Sequence, residues 1–290
     1  MLKILVYLQI RNDKYRIGND FNITKSKMKI VSWNVNSVRI RLLHLQRLIA
    51  LENPDVICLQ ETKVEDVSFP LADLQSLGFP HIAFSGQKSY NGVAILSKIP
   101  FSNMQTMAIA GAPDKRHISV ELTDGVSLHN FYVPAGGDIP DPALNPAYDY
   151  KLRFVEEMTQ WSQTIKKTKK QAIILGDFNI APLEHDVWSH KQLKNVVSHT
   201  EPEILRLNAL QKSYDWCDVA RHFVDSSEKL YSWWSYRNRD WRKSDRGRRL
   251  DHIWVTPDLA PALKNFSILK DLRDFPSPSD HVPVIMEIKL

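Results

Sequence analysis

The chain has 290 residues, 43% of them hydrophobic and 24% charged, which is ordinary globular composition and enough length to bury a core without disulfides or structural metals. Its two cysteines, Cys58 and Cys217, exclude a disulfide framework or a cysteine-rich zinc site, and no run approaches the roughly 20 apolar residues of a membrane helix. The net charge of +5 does not by itself point to nucleic acid, because residues 1–27 hold six basic and two acidic side chains and leave only about +1 for the rest.

Met1 to Leu8 is apolar but shorter than a signal h-region and lacks a small-residue cleavage site, so the expected location is the cytoplasm. Residues 9–27 are polar and without period, and Met28 opens a strand abruptly. Residues 1–27 therefore read as a loose tail or as a start placed too far upstream, and 28–290 as one domain without linker, repeat or low-complexity tract. Strand-like runs follow at 29–35, 55–61, 81–85, 92–97, 117–122, 126–133, 171–177, 230–236, 249–256 and 281–288. Thr123-Asp124-Gly125 between two of them is a hairpin signal, and Cys58 inside Val56-Ile57-Cys58-Leu59 reads as a small core residue. Helical spacing predicts helices over 39–52, 147–168 and 201–213, the first burying Ile40, Leu43, Leu45, Leu48 and Ile49. Many strands with few helices between them predict stacked sheets with helices outside.

Polar residues collect at strand ends. Asn34 and Asn36, Glu61, and Asp177 with Asn179 follow apolar runs, whereas Asp251 and the pair Asp280-His281 precede theirs. One shared site requires the last two strands to run antiparallel to the others, hence mixed sheets with a common polar rim. Singly, each of these residues is also an ordinary turn former.

In order, Trp33-Asn34-Val35-Asn36, Gln60-Glu61-Thr62-Lys63, Tyr90-Asn91-Gly92-Val93-Ala94, Gly176-Asp177-Phe178-Asn179, Arg249-Leu250-Asp251-His252 and Ser279-Asp280-His281 resemble the motifs of exonuclease III and apurinic/apyrimidinic endonucleases. The resemblance covers residues 28–290 and implies an α/β fold: a four-layered sandwich of two mixed β-sheets packed face to face with helices outside. It implies Mg²⁺, or Mn²⁺ in its place, held chiefly by Glu61 with Asn34 and Asp280, and with Asp177, Asn179 and His281 in the same ligand set. Asp177 resembles the residue that positions or deprotonates the attacking water, Asn179 the one that holds the transition-state phosphate, Asp251 the partner that orients His281, and Tyr132 the family's active-site tyrosine. Such chemistry suits a phosphodiester, whose negative charge repels hydroxide until a hard cation neutralises it. Asp177 and His281 both remain open as the base.

A local basic footprint lies at 235–249, where Arg237, Arg239, Arg242, Lys243, Arg246, Arg248 and Arg249 stand against Asp240 and Asp245, with Trp233, Trp234, Tyr236 and Trp241 interleaved or adjacent. Basic side chains neutralise phosphates and aromatics stack on bases, although a solvated loop with Trp234 buried has the same composition. The resemblance makes Trp233, Arg248 and Leu250 walls of an abasic pocket; Trp241 is the expected DNA-side aromatic, and Arg237 of the basic footprint is a further DNA-binding residue. Two departures stand out: Pro134-Ala135-Gly136-Gly137 replaces the family's usual Pro-Asn-Gly, and Arg248 replaces an apolar wall residue. The implied protein is a monomeric, metal-dependent DNA repair nuclease that incises duplexes 5′ of abasic sites and degrades or cleans recessed 3′ ends. A phosphatase of phosphoinositides and a non-catalytic DNA-binding protein are the alternatives from other classes.

Overall fold

Neighbouring residues along the central strands bury opposite faces, and this sets the layering. Ile30 and Ile173 enter one apolar cluster, while Val31 and Ile174, the next residues along, enter two others. Two sheets whose strands are apolar on both faces must be covered on both sides.

The computed structural model describes residues 27–290 apart from Asp124. The expected tail lies outside these residues except for Lys27, which opens the first strand. In chain order the strands are β1 (Lys27–Asn34), β2 (Val56–Gln60), β3 (His81–Ser85), β4 (Val93–Ser97), β5 (Phe101–Gln105), β6 (His117–Leu122), β7 (Ser127–Tyr132), β8 (Ala172–Asp177), β9 (Cys217–Asp218), β10 (Trp233–Trp234), β11 (Gly247–Arg248), β12 (Asp251–Val255), β13 (Leu263–Ile268) and β14 (Val284–Lys289). The α-helices are α1 (Leu42–Glu52), α2 (Leu71–Ser76), α3 (Pro146–Thr168), α4 (His190–Leu193), α5 (Glu201–Ser213), α6 (Val219–Phe223) and α7 (Trp241–Ser244).

One six-stranded sheet has the order β13-β14-β1-β2-β4-β3 and the other β5-β6-β7-β8-β12-β9. Each contains one parallel pair, β1 with β2 and β7 with β8, and every other pairing is antiparallel. In particular β14 opposes β1 and β12 opposes β8, the mixed pairing that a shared polar rim requires. Ile30, Cys58, Ile95, Leu128, Leu175, Ile253 and Met286 fill the space between the sheets. Leu45 and Leu48 of α1 cover the outer face of the first sheet against Val31, Trp33 and Leu59. Phe154, Val155 and Met158 of α3, with Leu207 and Leu210 of α5, cover the second against Phe131, Ile174 and Trp254. The result is the four-layered α/β sandwich.

Several elements differ from expectation. The helix expected from residue 39 begins as α1 at Leu42 after a 3₁₀ turn, because Arg41 turns inward to donate to Pro278 O at 2.8 Å. Ile40 and Leu43 are accordingly 62% and 74% exposed and not part of the buried face. The expected strand 230–236 shrinks to β10, since Leu230 and Trp234 donate their backbone N–H groups to His185 and Asp280 in loops. The last strand begins after Pro283, which has no N–H to give. β5 and β13 have no counterpart in the sequence pattern: both are sheet edges, β5 largely exposed and β13 half-buried in its second half, and neither alternates. The Thr123–Gly125 hairpin joins β6 and β7, with Gly125 at φ 77°. No helix among the described residues is long and apolar enough to cross a membrane.

Candidate active site

Register places the polar strand ends together. Tyr132 and Asp251 both pair with Asp177, from the parallel β7 and the antiparallel β12. Gly176, one residue earlier, lies against Phe131 with φ 137°, and a Cβ there would sit 1.9 Å from the Phe131 carbonyl oxygen. Only glycine lets β8 approach β7 closely enough to present Asp177. Beyond the strand ends, Asn36, Glu61, Lys63 and Asn179 have φ between 45° and 53°. Backbone of this kind costs about 1–3 kcal/mol per residue and survives only where surroundings hold it, which is common at working sites.

The side chains form one connected network. Asn34 Nδ2 donates to Glu61 Oε1 and to Asp177 Oδ2, each at 2.9 Å. Tyr132 donates its hydroxyl to Glu61 Oε1 at 2.7 Å, and Lys63 pairs with Glu61 Oε2 at 2.7 Å. Asn179 donates its backbone N–H to Asp177 Oδ1 at 2.9 Å and its amide to Asp177 Oδ2 at 3.2 Å. His281 Nδ1 lies 2.8 Å from Asp251 Oδ2, while its Nε2 stands 3.6 Å from Asp177 Oδ2. Asp280 accepts from Trp233 Nε1 at 2.9 Å and from Asn36 at 3.2 Å.

These contacts set the charges. Burial would raise the Glu61 pKa, but Lys63 and the hydrogen bonds from Asn34, Lys63 and Tyr132 hold it below the usual carboxylate range. Asp177 is raised, by complete burial first and then by the Asp251 and Glu61 carboxylates, with His281 opposing. Burial would lower His281, yet Asp251 and Asp177 more than reverse it and the ring is held protonated. Tyr132 is raised well above 10.0, by burial and by Glu61 and Asp177, and stays a donor.

Asn34 and Asn179 are both engaged within the network. Asn34 meets the carboxylates with its NH₂ group, while its carbonyl oxygen accepts from Asn36 N at 3.0 Å, so it spaces Glu61 and Asp177 as a donor. Asn179 donates its amide protons to Val133 O and Asp177, and so supports Asp177. Asp177, Asp251 and His281 bring donor atoms within 4.8 Å of one another. Asp251 Oδ2 serves His281 and Ser232 while its Oδ1 has no hydrogen-bond partner, and Glu61, Asp177 and Asp280 are the other carboxylates of the rim. Carboxylate oxygens gathered on one rim are hard donors of the kind a hard divalent cation takes.

The network floors a cleft of about 580 Å³, a size suited to a nucleotide-scale ligand. Trp233, Arg237, Arg248 and Leu250 line it. Trp241 does not. It is buried against Trp234, with ring centroids 4.9 Å apart, and donates its Nε1 to Asp274 at 2.9 Å, so it offers no stacking face. Trp188, Val197 and Ser198 line the cleft unforeseen, in a segment whose sequence carries no strand or helix period. Arg246 lies over Trp188 at 4.8 Å and Arg248 over Trp233 at 5.3 Å. Ser232 was also missed: it donates to Asp251 Oδ2 at 2.6 Å and accepts both the Leu250 and Asp251 N–H groups. Lys63 belongs to a motif seen in the sequence, though its pairing with Glu61 does not follow from that motif.

Comparison with known proteins gives a consistent result. Exodeoxyribonuclease III of Haemophilus influenzae is 31% identical over 281 residues, which cover 90% of this chain and 100% of that protein. An AP endonuclease from Archaeoglobus fulgidus superposes with a TM-score of 0.83 at 32% identity, covering 91% of this chain and 100% of that one. A 3′ phosphatase from Neisseria, solved bound to a product DNA hairpin, gives the same score, identity and coverage. Residues 31–281 match the family model described as Endonuclease/Exonuclease/phosphatase, and the chain belongs to that family.

Proposed function

We propose that this protein is a metal-dependent DNA repair phosphodiesterase that incises duplex DNA on the 5′ side of abasic sites and removes nucleotides or blocking groups from recessed 3′ ends. The observation that carries this reading is the placement of Glu61, Asp280 and His281, with buried Asp177 and Asp251 behind them, on the floor of a cleft walled by arginines on tryptophans. Its relatives named as an exodeoxyribonuclease, an AP endonuclease and a 3′ phosphatase support the substrate class.

Glu61 and Asp280, with Asp177 beside them, would hold Mg²⁺, which when bound supplies neutralisation of charge gathering on the phosphoryl oxygens. Asp177 is the base: it is fully buried, its proton affinity is raised, and Asn179 and Asn34 fix the direction of its lone pairs. His281, kept protonated by Asp251, offers Nε2–H to a phosphoryl oxygen. Tyr132 steadies Glu61 through its hydroxyl, and Arg116 lies over its ring at 4.7 Å. Arg237, Arg246 and Arg248 meet backbone phosphates, while Trp188 and Trp233 supply apolar surface beneath them. One chain contributes every group, so a monomer suffices.

A duplex carrying one abasic analogue and one recessed 3′ end tests this directly. With Mg²⁺, incision 5′ of the lesion and shortening of the 3′ end are expected, and both stop with chelator. Turnover of inositol phosphates with neither DNA product would replace this reading with that of a phosphatase.

A further inference from the structure

Lys151 lies in the second turn of α3 and Glu203 in the first turn of α5, both side chains fully buried and paired at 2.5 Å. Desolvating two charges is costly, and exchanging such a pair for apolar residues is often neutral or stabilising. The contacts around the pair indicate a use beyond stability. Lys151 Nζ donates to Asn179 O at 2.7 Å and Ala135 O at 3.2 Å, on the loops that leave β8 and β7 at the active site. Glu203 accepts from Ser198 N at 2.9 Å, Thr200 N at 3.0 Å and the Thr200 hydroxyl at 2.6 Å. Ser198 in turn accepts Arg248 Nη1 on its hydroxyl at 2.7 Å, beside the Val197 carbonyl at 3.0 Å.

An unbroken polar path therefore joins Asn179, which braces Asp177, to Arg248 in the substrate wall. Its two loop residues carry backbone that side chains rarely adopt, φ 53° at Asn179 and 85° at Ser198, and such conformations relax when their restraints are removed. The Ala135–Gly137 turn, where the sequence departs from its family, also rests on the pair: a Cβ on Gly136 would sit 2.8 Å from Lys151 Cδ.

We propose that Lys151–Glu203 is a positioning pair that fixes the Asn179 loop against the Val197–Ser198 wall, and so sets the spacing between the hydrolytic centre and the substrate pocket. This rests on the function proposed above. The double variant Lys151→Met/Glu203→Leu removes both charges together, and Glu203→Gln removes only the counter-charge at constant size. In each, kcat on the abasic duplex is expected to fall about tenfold to a hundredfold, as displacements near 1 Å do, with little change in KM, while the thermal midpoint falls, most in Glu203→Gln, which leaves the buried Lys151 charge without its partner. Amide hydrogen exchange without DNA or metal is expected to quicken at Asn179–Ala181 and Val197–His199 while β8 stays protected. A folded variant with unchanged kcat and unchanged exchange overturns the proposal, as does failure of both variants to fold, which would make the pair a folding element. If the wild-type protein cuts neither DNA site, the proposed function fails, and exchange alone decides the role of the pair.

Discussion

A fully buried histidine ordinarily loses its proton, because burial disfavours the charged ring. His281 is driven the other way by Asp251 at 2.8 Å and Asp177 at 3.6 Å. Asp251 is itself held by Ser232, whose single hydroxyl serves one carboxylate oxygen and two backbone N–H groups. Asp251→Asn keeps the shape but removes the counter-charge, so kcat is expected to fall about 10²–10⁴-fold. The sign of the pH effect follows from the raised value of His281. With less to hold the proton, the variant's ring deprotonates earlier, and the alkaline limb of its kcat profile moves to lower pH. An alkaline limb in the same place would remove His281 as the proton-bearing group. Ser232→Ala should lose about 1–3 kcal/mol of stability through the donors it strands, with a smaller shift of the same limb.

At the scale of one element, the segment 235–249 shows what a sequence can and cannot carry. Strand ends are local, so Asn34, Glu61, Asp177, Asp251 and His281 could be set on one rim from hydrophobic runs and direction alone, and family motifs supplied their roles. The basic segment could be counted but not sorted, because the partners of its charges lie far along the chain. Arg249 is buried between Asp186 and Asp218, and Arg242 is held by Asp271 and Asp274. Arg237, Arg246 and Arg248 alone of the seven basic residues line the cleft. Trp241 was out of reach for the same reason: whether a helical turn such as α7 faces the solvent or the core depends on Asp274 and Trp234, not on its neighbours in sequence. Two substitutions separate the classes. Arg249→Leu strands buried carboxylates and is expected to lose about 3–5 kcal/mol of stability, leaving the salt dependence of DNA binding unchanged. Arg237→Ala should leave thermal stability alone and reduce the slope of log affinity against log salt by about 1. Exchange of these two effects would reverse the sorting.

Across the whole molecule, the two sheets meet through an apolar core legible from strand composition, while edge strands β5 and β13 had no pattern to reveal them. The sandwich also encloses histidines whose burial no sequence pattern announces. His117 and His129 face each other at 3.1 Å between β6 and β7, and His252 of β12 stacks on Phe178 at 5.2 Å and reaches Ile180 O at 2.8 Å. Burial disfavours their charged forms, holding His129 down to about 3, His252 to about 4, and His117 well below 6.5. The unfolded chain binds protons on these rings near pH 6.5, whereas the fold refuses them until far lower pH. Their contribution to stability is therefore complete above that value and declines as pH falls from it towards the folded values, by about 1.4 kcal/mol per pH unit for each ring. Denaturant titrations at pH 7, 6 and 5 should show this decline, and His252→Phe should flatten it by about one ring's share. The variant also loses the bond to Ile180 O, which shifts its stability by a similar amount at each pH, so the slope is the diagnostic quantity. Parallel slopes for variant and wild type would mean that His252 takes up its proton in the folded state as readily as in the unfolded chain.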